Sequence, residues 1–217
     1  MMRRILELVE EPRRNRWMEV TCAALLAVAT TASAWCAYQS NLWGGVQTFR
    51  LADSDRAERE VAELKLMAVQ NRAFDAEMVI HFISAKMHGD EKLATFLSER
   101  FRAEAKVAVD AWMATDPFNN PNAPKRPFEM KEYVQHELAE IKKYNEIGAT
   151  MQAAAQAANE HSDRYVLLTV LFASVLFFGG IRGTFQSSLL RLISFTMAFV
   201  LFCLTLVVMG AMPICRE

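Results

Sequence analysis

The chain has 217 residues, 53% of them hydrophobic, with 24 Lys and Arg against 25 Asp and Glu and a formal net charge of −1. This near-neutral total averages apolar ends with an acidic middle, residues 39–163, which holds 15 Lys and Arg against 20 Asp and Glu, a net charge of −5. The middle lacks the basic footprint that a phosphate backbone needs, which argues against nucleic acid as a partner. The spacings of Cys22, Cys36, Cys203 and Cys215 fit neither a CxxC redox pair nor a zinc site.

Residues 1–16 read as a cytoplasmic amphipathic and basic segment, with Ile5, Leu8 and Val9 on one side of a short helix ended by Pro12. A disordered basic tail reads equally well. Residues 17–38 follow as the first transmembrane helix, charge-free from Val20 to Tyr38. Ala32-Ser33-Ala34 also outlines a signal-peptide cleavage site. The preceding Glu7, Glu10, Glu11 and Glu19 are foreign to such a leader, so an uncleaved anchor is expected. Ala23, Ala27 and Thr31 repeat every four residues, a small face for close helix packing that predicts a span mostly covered by protein.

Residues 39–163 form the extracytoplasmic part. Leu66, Val69, Ala73, Ala76, Ile80, Ile83 and Met87 alternate by three and four, as a coiled-coil seam does, with Val79 and Phe82 widening it. This makes one long helix, expected to be continuous with the first span except for a weak point at Gly44-Gly45, and Gly89-Asp90 ends it. A second helix, 91–115, carries Leu93, Leu97, Phe101, Ala105, Ala108 and Trp112 on one face. Four prolines in residues 116–127 predict an ordered, extended loop that climbs back along the bundle. A third helix begins near Phe128, with Met130, Val134, Ile141, Tyr144, Met151, Ala155 and Ala158 in heptad register, interrupted at Glu137 and Gly148. Its alanine-rich turns, 149–158, are expected beside Ser40 and Gly44-Gly45.

The third helix runs into the second span, 164–181. A cytoplasmic loop, 182–191, with Arg182 and Arg191 leads to the third span, 192–212, and an extracytoplasmic end, 213–217. The arginines before the first span and in the hairpin loop set the topology by the positive-inside rule. The Leu- and Phe-rich third span is expected to face acyl chains. Cys36 and Cys215 fall on the same outer face, where a disulfide between them is open.

Chemistry-bearing patterns are sparse. Glu77 with His81 and Glu132 with His136 are pairs spaced four apart, whereas di-iron bundles use Glu-x-x-His, and both pairs lie off the apolar seams. A solvated face is the better reading. Gly179-Gly180-Ile-Arg-Gly183 lacks the preceding strand and the glycines of a phosphate loop, and reads as the exit and turn of the chain. No catalytic, cofactor-binding or metal residue is assigned.

Ala23-Ala-Leu-Leu-Ala-Val-Ala29, Trp35-Cys-Ala-Tyr-Gln39, Pro121-Asn-Ala-Pro124, Pro127-Phe128 and Asp163-Arg-Tyr-Val166 carry a likeness. On them the chain resembles a group of uncharacterised bacterial inner-membrane proteins with one N-terminal span, a helical extracytoplasmic segment and a C-terminal hairpin. The resemblance implies a topology and a bacterial inner-membrane location, not an activity. The expected fold is all-α: three transmembrane helices with an extracytoplasmic antiparallel helical bundle or coiled-coil stalk. The expected function is non-enzymatic, a scaffold, accessory subunit or partner-binding module. The expected partners are membrane lipid and either further copies or a larger membrane complex. The alternative is a homo-oligomeric passive pore lined by the first span, with Thr21, Thr30, Thr31 and Ser33 as its weak polarity.

Overall fold

The computed structural model describes the backbone of residues 2–185 and 187–216, and the side chains of Trp17 and of the described residues from Glu19 onward. It is all-helical, 83% helix, with no strand among the described residues. The helices are α1 (Met2–Met87), α2 (Glu91–Ser98), α3 (Ala103–Met113), α4 (His136–Ile181) and α5 (Ser188–Gly210), with single 3-10 turns at Pro127–Glu129 and Arg182–Thr184. Three of them, α1, α4 and α5, contain stretches long and apolar enough to cross a membrane. The chain divides into two compact units: Met1–Leu51 with Gln152–Glu217, and Ala52–Met151.

α1 runs unbroken from the first apolar stretch to Met87, as expected, and exceeds the sequence reading only at its start. It passes through Pro12 and through Gly44-Gly45 without a break. The apolar side proposed for residues 1–16 lies outside the described side chains. The helix closes at Gly89, whose φ of +73° is the left-handed conformation that glycine adopts at no steric cost. Asp90 N–H donates to Ala85 O and Gly89 N–H to Lys86 O, the two bonds of a Schellman ending. Asp90 then caps α2 by accepting from Leu93 N–H at 2.9 Å, so two residues end one helix and start the next.

In the unit Ala52–Met151, α1 buries Ser54, Ala57, Val61, Ala68, Asp75, Phe82 and Ala85, with Leu64, Asn71 and Met78 half-buried between them. That is an unbroken alternation of three and four, the coiled-coil period. The expected period is therefore right and the phase of its main row is wrong, whereas Val79 and Phe82, expected to widen the seam, are buried in the core. Leu66, Val69, Ile80 and Met87, placed on the seam by their hydrophobicity, are 59%, 66%, 66% and 73% exposed. The true seam mixes large apolar residues, Val61, Leu64, Met78 and Phe82, with small and polar ones, Ser54, Ala57, Ala68, Asn71 and Asp75, that a search for large apolar side chains passes over.

The helix expected over 91–115 is two helices, interrupted at 99–102. Its face is otherwise as expected except that Leu93 is exposed while Ala94, Phe101, Ala105, Ala108, Val109 and Trp112 are buried. Phe101 meets Phe82 edge to face at 5.5 Å within the core of Val79, Phe82, Ala85, Ala94, Phe101, Ala105 and Val109. The proline loop is a run of turns rather than an extended climb: Asn119 and Asn120 N–H both donate to Asp116 O, and the Trp112 indole donates to Pro124 O at 2.7 Å. No long climb is needed, because Arg102 and Tyr133 reach the same level of α1. α4 begins at His136 rather than near Phe128, which leaves Met130 and Val134 outside it. From Ile141 through Tyr144, Gly148, Met151, Ala155 and Ala158 its inward face follows the expected heptad, and the expected interruption at Gly148 belongs to that face.

In the unit Met1–Leu51 with Gln152–Glu217, α1 buries Cys22, Leu25, Ala29, Ala32, Cys36 and Gln39. These pack with Tyr165, Leu168, Phe172 and Val175 of α4 and Ala198 of α5. The small face Ala23, Ala27 and Thr31 points outward instead, so within this chain it covers nothing. Gly179 explains the tight approach of α1 to α4: a β-carbon there would stand 2.6 Å from Leu26 Cδ2. It is a packing glycine inside α4, not the start of a turn. Ser40 and Gly44 do meet a small residue of α4, but it is Ser162, whose hydroxyl donates to Ser40 O at 3.0 Å. α5 starts four residues earlier than expected, at Ser188, and buries only Ser194, Ala198 and Thr205.

Candidate functional site

Three features stand out: a buried polar network, a polar clamp and an uncovered apolar face. The network lies in the unit Ala52–Met151 around Asp75, whose side chain is 1% exposed. The break between α2 and α3 leaves Arg102 in extended backbone at the start of α3, with Nη1 3.1 Å from Asp75 Oδ2. Tyr133, just before α4, donates its hydroxyl to the same oxygen at 3.0 Å. Arg102 Nη2 lies 3.5 Å from Glu104 and 3.7 Å from Glu137. Asn71 donates to Glu137 Oε1 at 2.7 Å, and Gln135 to Ala68 O at 3.5 Å.

Burial pushes the Asp75 carboxyl above the usual carboxylate range, against the pull of Tyr133 and Arg102. Burial and the bond to Asp75 push the Tyr133 phenol up to about 12. Glu137 moves the other way, held below its ordinary value by a backbone N–H at the start of α4 and by Asn71. These groups spend their polar atoms on one another, so the network fixes the register of α1, α3 and α4 rather than presenting a reactive group.

The clamp lies in the other unit. Gln39, 1% exposed, accepts from Cys215 N–H at 2.9 Å and donates to Cys215 O at 3.5 Å. Trp43 and Tyr165 both donate to Pro213 O, at 3.3 and 3.2 Å. Residues 213–215 are thereby tied to α1 and α4 by backbone groups that side chains satisfy. All four cysteines are free thiols, Cys22 and Cys36 buried among them.

The Glu/His pairs are not drawn together. Glu77 and His81 are exposed, and the His136 side chain is 81% exposed, its Nε2 3.8 Å from Glu104. No group of three or more His, Cys, Asp or Glu able to hold a metal occurs among the described residues. The threonine hydroxyls of the first span are satisfied by their own helix: Thr21 donates to Trp17 O, Thr30 to Leu26 O and Thr31 to Ala27 O.

The uncovered face is the outer side of α1. Leu66, Val69, Ala73 and Ile80 are exposed to Met87 at its end, with Ala76 and Ile83 half-buried. Beside Ala76, Ile80 and Ile83 runs a groove of about 360 Å³ whose far wall is Lys125–Glu129. Sequence reasoning found these residues and assigned them to the wrong side of the helix. Asp75, Arg102 and Tyr133 were missed, because a lone Asp on an apolar face carries no signal until its partners are placed. Comparison with protein-family models, with curated proteins and with solved structures finds no match.

Proposed function

We propose that the chain is a non-enzymatic membrane protein whose extracytoplasmic helical segment, residues 39–163, binds a protein partner through the outer face of α1. The three apolar helices would anchor it in a bacterial inner membrane with the N-terminus in the cytoplasm, the orientation that Arg182 and Arg191 in the hairpin loop favour. The observation that carries the reading is the exposed stripe Leu66, Val69, Ile80 and Met87. Large apolar residues repeated along one face of a water-exposed helix mark a place where protein is received.

A photo-reactive residue at Val69 or at Ile80, in cells expressing the full chain, tests this. One discrete cross-linked adduct at both positions is the expected result. Absence of any adduct at either position overturns the binding reading, and protection of residues 39–163 from protease added to spheroplasts overturns the orientation. The pore lined by the first span is the weaker reading, since three of the four hydroxyls proposed to line it, those of Thr21, Thr30 and Thr31, already donate to their own helix. Ion or solute leakage from liposomes holding the purified chain would restore it.

A further inference from the structure

We infer that the occupant of this outer face is a second copy of the same chain, its α1 lying parallel to the first and in register. The inference rests on the partner-binding reading above and adds the identity and geometry of the partner. Three observations point to it.

The first is periodicity. Leu66, Val69, Ala73, Ile80 and Met87, which are exposed, and Ala76 and Ile83, which are half-buried, together keep strict three-four spacing, the spacing that holds one helix against another over several turns. A globular partner would have no reason to match it. Two copies anchored in one membrane with one topology stand in the same direction at the same height, so each presents this stripe to its like.

The second is charge. With Leu66, Ala73, Ile80 and Met87 at a and Val69, Ala76 and Ile83 at d, Arg72 falls at g and Glu77 at e. In a parallel in-register pair, g of one helix meets the following e of the other. Arg72 therefore meets the partner's Glu77, and by symmetry the partner's Arg72 meets Glu77. The g edge is also where the groove opens: Arg72, Lys125 and Arg126 line it, with Glu129 already paired to Arg126 at 3.2 Å. An incoming carboxylate fits this edge. In an antiparallel pair Arg72 would face g residues, where Lys65 and Lys86 are of like sign.

The third is size. A stripe of three heptads is about 30 Å long and about 10 Å wide, so a pair hides roughly 600 Å² in all, below the ~1,200 Å² of a free-standing interface. Confinement to one bilayer raises the effective concentration of copies and lets an interface of this size suffice. A freely diffusing partner would need more area than the stripe offers.

The test is the mass of the full chain in mild detergent and in lipid nanodiscs, for the native protein, Arg72→Glu, Glu77→Arg and the double exchange. The native chain is expected at twice the monomer mass in nanodiscs, where the bilayer confines both copies, and as a weaker dimer in detergent. Each single exchange should raise the dissociation constant about tenfold or more by setting like charges face to face in both symmetric pairs. The double exchange should recover most of that loss, which a folding defect would not do. Single exchanges that dimerise as the native chain does, or no dimer in either medium, overturn the second copy. The two readings separate in the cross-linking experiment: a discrete adduct of other than dimer mass at Ile80 retains partner binding and removes the second copy, whereas no adduct removes both.

Discussion

Tyr133 donates its hydroxyl to Asp75 at 3.0 Å across 58 positions of sequence, and so fixes where the chain leaves the proline loop and enters α4. The same carboxylate oxygen holds Arg102. One buried charge on α1 thus sets the height of two other segments.

Removing that charge center is expected to be costly. Asp75→Ala leaves the Tyr133 hydroxyl without its acceptor and takes one of three carboxylates from Arg102, which keeps Glu104 and Glu137, and should lower the stability of the unit Ala52–Met151 by about 1–3 kcal/mol. Asp75→Asn keeps an acceptor for Tyr133 and should cost clearly less. Thermal unfolding of the full chain followed by circular dichroism orders the two variants; an Ala variant as stable as the native chain would show the network to be idle.

pH separates the members of the network. The folded Tyr133 phenol lies near 12, above its ordinary 10, so its contribution is complete below pH 10 and is lost as pH rises from 10 to 12. Tyr133→Phe should flatten that alkaline slope. Glu137, lowered in the folded state, contributes above pH 4.5 and its share is lost as pH falls through its folded value. Asp75, raised, works in the opposite sense: ionising it weighs against the fold as pH climbs through its shifted value. Denaturant midpoints across pH 3–12 for the native chain and Tyr133→Phe read out all three.

How much of this was legible follows from what hydrophobicity can and cannot mark. The three apolar stretches, the helical period of the middle and the α4 face from Ile141 to Ala158 were readable, because each rests on an uncharged run or a regular three-four spacing. The inward phase of α1 was not. Ser54, Ala57 and Ala68 are too small, and Asp75 too polar, to be recognised as buried before their neighbours are known. The break at 99–102 was equally hidden: no proline or glycine marks it, and its cause is the reach of Arg102 to a residue 27 positions away. Gly179 was visible as a glycine, but its role depends on Leu26.

The proline loop hangs on one indole. Trp112→Phe keeps most of the ring and deletes the donor to Pro124 O, a loss expected to cost about 1–2 kcal/mol. Faster limited proteolysis between residues 116 and 127, with the spans intact, is the expected result. Unchanged cleavage would mean that the Asp116 turn bonds hold the loop by themselves.

Gly179→Val should loosen the unit Met1–Leu51 with Gln152–Glu217, since a branched side chain cannot enter the space that Leu26 fills, whereas a β-carbon at Gly180 meets nothing within 4 Å and Gly180→Val should be tolerated. Loss of the folded, detergent-stable fraction in the first variant and its retention in the second is the outcome to look for. Equal behaviour would remove the close approach as a determinant.

The seam mixes small and large side chains along its length, so apolar packing alone fixes its register weakly. Three polar pins fix it: Ser54 on Gly148 O, Asn71 on Glu137, and Asp75 on Arg102 and Tyr133. Slipping by one heptad, about 10 Å, would strand all three together. This unit is therefore keyed to a single register and cannot ratchet.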